Sequence, residues 1–195
     1  MMPTPFDEER FSRWMAYVLR HNPDRYGLAL DRHGFTDLEP FLLIAVRRSP
    51  ELTEERLREL IAGPLSQRFE LAGNRLRARY GHSIPVEPAG EPVVPPDLLY
   101  HGTEPARADE VLRDGLKPLE RRMLHLSDTL EEALAVARRR TDQPRVVRIL
   151  AKDAHARGIA FYREGRVYLT TQIPPELLVF EEQEPASGAT PLQAS

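Results

Sequence analysis

The stretch Val86-Glu87-Pro88-Ala89-Gly90-Glu91-Pro92-Val93-Val94-Pro95-Pro96 places four prolines in eleven residues. Proline lacks a backbone donor and fixes φ, so such a run holds an extended chain and continues neither a helix nor a sheet. The stretch reads as a linker, residues 86–96, between two units, 1–85 and 97–182. The tail from 183 to 195 has the composition of a disordered end.

Upstream of the prolines the pattern is helical. Phe11, Met15, Val18 and Leu19 share one face, and the helix is expected to stop at Arg20-His21-Asn22 because Pro23 disfavours α geometry in the residue before it. A second helix is predicted from Thr36-Asp37-Leu38-Glu39, with Thr36 as cap and Glu39 reaching back, and a third after Thr53, ending at Gly63-Pro64. Arg68-Phe69-Glu70-Leu71 and Arg75-Leu76-Arg77-Ala78-Arg79 then alternate about Ala72-Gly73-Asn74 as a hairpin. Helices followed by a hairpin suggest a winged helix. Downstream, short strands around Leu98–His101, Met123–Ser127, Val146–Leu150 and Arg166–Thr170 enclose helices over Arg107–Asp114 and Thr129–Arg139. The expected class is α+β: a winged-helix-like lobe followed by a mixed lobe.

Composition bounds the function. With 41% hydrophobic and 29% charged residues the chain can build a core, and a net charge of −3 gives no field for coating nucleic acid, so any polyanion must meet a local cluster. No cysteine is present, which removes disulfides, thiolate metal sites and cysteine nucleophiles. The six histidines are scattered, with no HExxH spacing, and no Walker or Rossmann glycine loop occurs, so no metal site is expected. No apolar run could span a bilayer, and a cytoplasmic protein is the expectation.

Each candidate for chemistry has an ordinary structural explanation beside the functional one. Arg20 and His21 could simply satisfy the carbonyls of a helix end. The hairpin arginines could be a solvated face, although guanidinium forks bind phosphate in a bidentate way that lysine cannot. In His101-Gly102-Thr103, at a strand end, the glycine could admit a ligand to the backbone, or merely make a turn. His125, between Leu124 and Leu126, could be a core histidine.

Taken in order, these pieces resemble the RNA 2′-phosphotransferase family from about Phe11 to Phe180. The resemblance rests on Val18-Leu19-Arg20-His21-Asn22-Pro23, Gly27–Phe35, Gln67-Arg68-Phe69-Glu70-Leu71, Arg77-Ala78-Arg79-Tyr80-Gly81-His82-Ser83, Leu99-Tyr100-His101-Gly102-Thr103, Gly115-Leu116-Lys117-Pro118, Arg121, His125-Leu126-Ser127, Phe161-Tyr162 and Val167–Thr170. It departs at Ser66, where the family has lysine, and at Tyr80, where glutamine is common.

The resemblance implies a winged-helix lobe, an ADP-ribosyltransferase-like lobe, and removal of an internal 2′-phosphate from RNA of the tRNA-splicing kind. NAD⁺ would be consumed, with an ADP-ribosylated RNA phosphate as intermediate. Nicotinamide and ADP-ribose 1″,2″-cyclic phosphate would be released. It carries catalytic roles onto Arg20, His21, Arg68 and Arg121, and NAD⁺ binding onto His101, Gly102, Thr103, His125, Ser127 and Val167. Arg77, His82 and Ser83 are the expected RNA contacts, and a monomer is expected. Two readings compete: an ADP-ribosyltransferase that stops after modifying a nucleic-acid end or a protein, and a non-catalytic winged-helix sensor of NAD⁺ or ADP-ribose.

Overall fold

A computed structural model describes residues 6–181, so the expectation for the 183–195 tail lies outside the described residues. Helix α1, Glu8–His21, is capped by Asp7, whose carboxylate accepts from the Arg10 amide at 2.9 Å; acids fill its first turn and Arg20 and His21 its last. Both ends therefore complement the helix dipole. Helix α3, Glu54–Ala62, begins as predicted on Thr53, whose Oγ1 accepts from the Arg56 amide.

Helix α2, Leu38–Arg48, starts differently from expectation. Thr36 and Asp37 form a short strand, β1, and no side-chain cap bond is made. Strands β2, Phe69–Ala72, and β3, Arg75–Ala78, make the predicted hairpin, and β1 adds to it in the order β1-β3-β2 with Thr36 opposite Leu76. The Leu38 amide donates to the Asn74 carbonyl at 2.8 Å, so the hairpin turn does what the expected Thr36 cap would have done. Under this sheet lies a core that includes Met15, Leu19, Phe41, Leu57, Phe69 and Leu76, all fully buried. Burying each phenylalanine contributes roughly 2–3 kcal/mol.

The second half contains β4 (Leu98–Thr103), α4 (Ala108–Asp114), β5 (Leu124–Ser127), α5 (Leu130–Ala137), β6 (Arg145–Leu150), α6 (Ala151–Ala156), β7 (Tyr162–Glu164), β8 (Val167–Thr170) and β9 (Leu178–Phe180). Its strands form one antiparallel sheet in the order β7-β8-β5-β4-β6-β9. The observed class is thus α+β with two antiparallel sheets, each over its own core. Helix α5 ends at Ala137, two residues short of expectation. Elements α6, β7 and β9 escaped the sequence reading because runs of three to six residues are too short to show a period.

Residues 86–96 carry no helix or strand, yet they are pinned to both halves. The Glu87 amide donates to the Arg32 carbonyl and the Val93 amide to the Phe161 carbonyl, each at 2.7 Å. Among the described residues no helix is long and apolar enough to cross a membrane.

Candidate active site

The last turn of α1 delivers Arg20 into the junction between the halves, where it is 8% exposed. Its guanidinium carbon lies 5.1 Å from the centroid of the Tyr80 ring and 6.0 Å from that of Phe69. Neither Nε nor Nη2 has a hydrogen-bond partner, and among the described residues no carboxylate pairs with it. Burial, with help from Arg68 and Arg121, lowers its pKa to about 10. Gly81 is required here: its φ is +90°, and a Cβ would sit 3.2 Å from Nη1 of Arg20. A buried cation with free donors and no counter-ion is costly unless an anion arrives to use them.

Arg68, just before β2, is half-buried and donates from Nη1 to the hydroxyl of Ser12 at 2.6 Å. Burial lowers its pKa, and Arg139 and Arg13 lower it further. Arg121 approaches from the other half on the segment leading into β5. Its side chain is open to solvent, but it loses enough hydration that its pKa is lowered, with Arg140 adding to the effect. His21 is exposed, with Nδ1 2.9 Å from Oγ of Ser83. Its pKa lies below 6.5 through partial burial and then the charges of Arg20 and Arg121. The four residues expected to be catalytic therefore face one region, with positive charge far in excess of negative.

On the second half, β4, β5 and β8 are neighbours. Nδ1 of His101 lies 2.9 Å from the His125 carbonyl, an acceptor only, so Nδ1 must carry the proton and donate. Burial lowers the pKa of His101, with Arg107, Arg140 and Arg121 contributing, so the neutral ring presents Nε2 as an acceptor. Nε2 of His125 is buried without a partner, and its ring meets Tyr80 edge-on at 5.7 Å. Ser127 pairs with Tyr100 on one side and Val167 on the other, and Thr103, two residues beyond His101, is buried. Gly102 has a packing cause of its own. A Cβ there would stand 2.4 Å from Cβ of Ala137 and 2.7 Å from the Ala133 carbonyl, so glycine lets α5 lie against β4.

A scan against family models matches residues 7–172 to "RNA 2'-phosphotransferase, Tpt1 / KptA family". The chain belongs to the RNA 2′-phosphotransferase family. Among curated relatives, a probable RNA 2′-phosphotransferase of Thermococcus kodakarensis is 36% identical over 88% of this chain and 96% of its own. One of Hahella chejuensis is 39% identical over 89% of this chain and 95% of its own, and one of Agrobacterium fabrum is 39% identical over 84% and 89%.

Within this phosphotransferase the hairpin arginines divide sharply. Arg77, expected to touch RNA, is instead 4% exposed, with both Nη atoms donating to Glu164, itself 2% exposed, at 3.0 and 2.8 Å, and Nε donating to Glu70 at 2.7 Å. Arg75 pairs with Asp31 and Arg79 with Glu70, which leaves Arg68 without a carboxylate partner among the described residues. Alternation puts Arg77 on the face of β3 opposite the core residue Leu76, the face that Arg75 shares, and Glu164 of the second half buries it there, so that the pair ties the two halves together. Arg77→Met should leave the buried Glu164 with only Arg79, 3.9 Å away, and the Ala89 amide, 3.4 Å away, costing about 3 kcal/mol, and should lower the melting temperature by about 6–12 °C. Unchanged melting with weakened RNA affinity would restore Arg77 as an RNA contact.

His82 is also inside, its Nε2 facing Gly34, rather than on an RNA-facing surface. Burial, then Arg20, Arg77 and His21, lower its pKa to about 4, and burial, then Arg121 and Arg20, lower that of His125 to about 3. Both stay neutral in the fold, whereas a histidine in the unfolded chain titrates near 6.5. Stability is therefore full above pH 6.5 and drains as the pH falls from there toward 4, by roughly 3 kcal/mol for His82 alone. Melting temperature measured across that window should fall steeply, and His82→Gln should flatten the fall. Parallel curves for the two proteins would count against it.

Two neighbours of this site went unnoticed in the sequence. Ser12 is a polar residue on the buried face of α1, two turns before Arg20, and that position was the available signal. Tyr80 stood out only as a departure from the family pattern. Among the described residues no group of three or more His, Asp or Glu is placed to hold a metal ion.

Proposed function

We propose that the chain removes an internal 2′-phosphate from RNA in an NAD⁺-dependent reaction, at the junction between its halves. The observation that carries this reading is Arg20, buried and without a counter-ion, with free donors, beside Arg68 and facing Arg121 across the junction. Preorganised cations in a site of restricted hydration stabilise a phosphate far better than they would in water.

In this reading the three helices and hairpin act as a winged-helix-like RNA-facing lobe, residues 1–85. Residues 86–96 link it to an ADP-ribosyltransferase-like lobe, 97–182, and the protein works as a monomer. The residues present suit NAD⁺ as co-substrate. Nε2 of His101 can accept from a sugar hydroxyl, the orphaned Nε2 of His125 needs a polar partner, and Ser127 and Val167 lie one and two strands away from β4. NAD⁺ supplies a ribose carbon that takes the phosphate as nicotinamide leaves, and a neighbouring hydroxyl that then takes the phosphorus from the RNA 2′-oxygen. Arg20 and Arg68 grip the phosphate. His21 donates to a phosphate oxygen or returns a proton to the departing 2′-oxygen, and Arg121 balances charge at phosphorus.

The acceptor is tested by nicotinamide release with three RNAs of one sequence, bearing an internal 2′-phosphate, a terminal 5′-phosphate, or neither. Release only with the first is expected. Equal release with the 5′-phosphorylated RNA would favour an end-modifying ADP-ribosyltransferase.

A further inference from the structure

We infer that Ser83 is a positioning residue for His21, holding its ring through a hydroxyl so that the ring can change protonation without losing its anchor; this rests on the role given to His21 above. Three contacts fix the segment. The Ser83 amide donates to the Arg20 carbonyl at 3.1 Å, its hydroxyl lies 2.9 Å from Nδ1 of His21, and the His82 carbonyl accepts from the Arg122 amide at 3.2 Å. Residues 82–83 thus splint the helix end bearing Arg20 and His21 to the segment of the other half that bears Arg121. Ser83 is itself exposed, so its side chain fills no core.

The two histidines His21 and His101 show what the anchor decides. A carbonyl can only accept, so the His125 carbonyl locks the proton of His101 on Nδ1. A hydroxyl both donates and accepts. With a neutral His21 ring, Ser83 O–H donates to Nδ1, the proton stays on Nε2, and Nε2 is the donor offered to the phosphate. With the imidazolium, Nδ1–H donates to Oγ instead, and Nε2 can give its proton to the departing 2′-oxygen, leaving a neutral ring protonated on Nδ1 that still donates to the same Oγ. Ser83, expected from the resemblance to touch RNA, therefore acts through His21.

Ser83→Ala in the full-length protein should lower kcat roughly three- to tenfold, the value of one lost hydrogen bond, with KM for RNA and the melting temperature unchanged. Ser83→Thr, which keeps the hydroxyl, should restore most of the rate. In a His21→Ala background, Ser83→Ala should add nothing. Nitrogen NMR of the His21 ring should show Nδ1 hydrogen-bonded in the parent both below and above the titration of the ring, and that bond lost in Ser83→Ala. A raised KM for RNA with unchanged kcat, or additive losses in the double variant, would overturn the inference. If His21→Ala is inactive while Ser83→Ala runs at the parent rate, only the positioning role fails; a fully active His21→Ala overturns the role of His21 and this inference with it.

Discussion

Replacing Arg121 by alanine is expected to leave the fold intact and to slow 2′-phosphate removal by about 10²- to 10³-fold, the loss typical of one preorganised charge-stabilising group. The fold should survive because Arg121 is exposed and, among the described residues, pairs with no carboxylate. The loss should fall on the later step. On the function proposed, Arg20 and Arg68, both in the first half, would still hold the phosphate while nicotinamide departs, whereas Arg121 would be the cation that the second half brings to phosphorus. RNA joined to ADP-ribose should then accumulate, visible as a slower band that decays slowly. Removal at the parent rate would strip Arg121 of the role.

Arg20→Met separates activity from stability in the opposite direction. The guanidinium is almost fully buried, two of its three nitrogens have no partner, and Arg68 and Arg121 add repulsion. Methionine fills similar space, keeps a soft contact with the rings of Tyr80 and Phe69, and carries no charge to desolvate. The variant should melt higher by a few degrees, a gain of about 1 kcal/mol, and lose about 10³-fold in rate. Such an exchange of stability for function is what a poised anion site requires. A variant that melts lower would mean that the guanidinium holds the fold together, as Arg77 does.

Legibility in the sequence followed the range of the interaction. The C-terminal end of helix α1 was readable because the apolar spacing and Pro23 lie within one segment. The β2–β3 hairpin was readable for the same reason. Thr36 was misread because its alternative partner, Leu76, is forty residues away, and a capping motif looks identical whether or not a strand claims it. The arginines proposed as catalytic were singled out through ordered resemblance, not through charge. Among Arg68, Arg75, Arg77 and Arg79, nothing local says that Glu164 takes Arg77 or that Arg68 keeps its charge free. The contact of Ser83 with His21 was hidden likewise, since it crosses 62 positions. For Gly102 nothing in the local sequence pointed to the helix that its missing Cβ makes room for.

On the function proposed, the cluster of Arg20, His21, Arg68 and Arg121 moves a 2′-phosphate from RNA onto a fragment of NAD⁺. The most direct test is to incubate the protein with NAD⁺ and a short RNA bearing a single internal 2′-phosphate and to weigh the small products. ADP-ribose 1″,2″-cyclic phosphate is expected in amounts equal to the nicotinamide released, beside RNA with a free 2′-hydroxyl. Loss of the 2′-phosphate as inorganic phosphate, with NAD⁺ unconsumed, would contradict it.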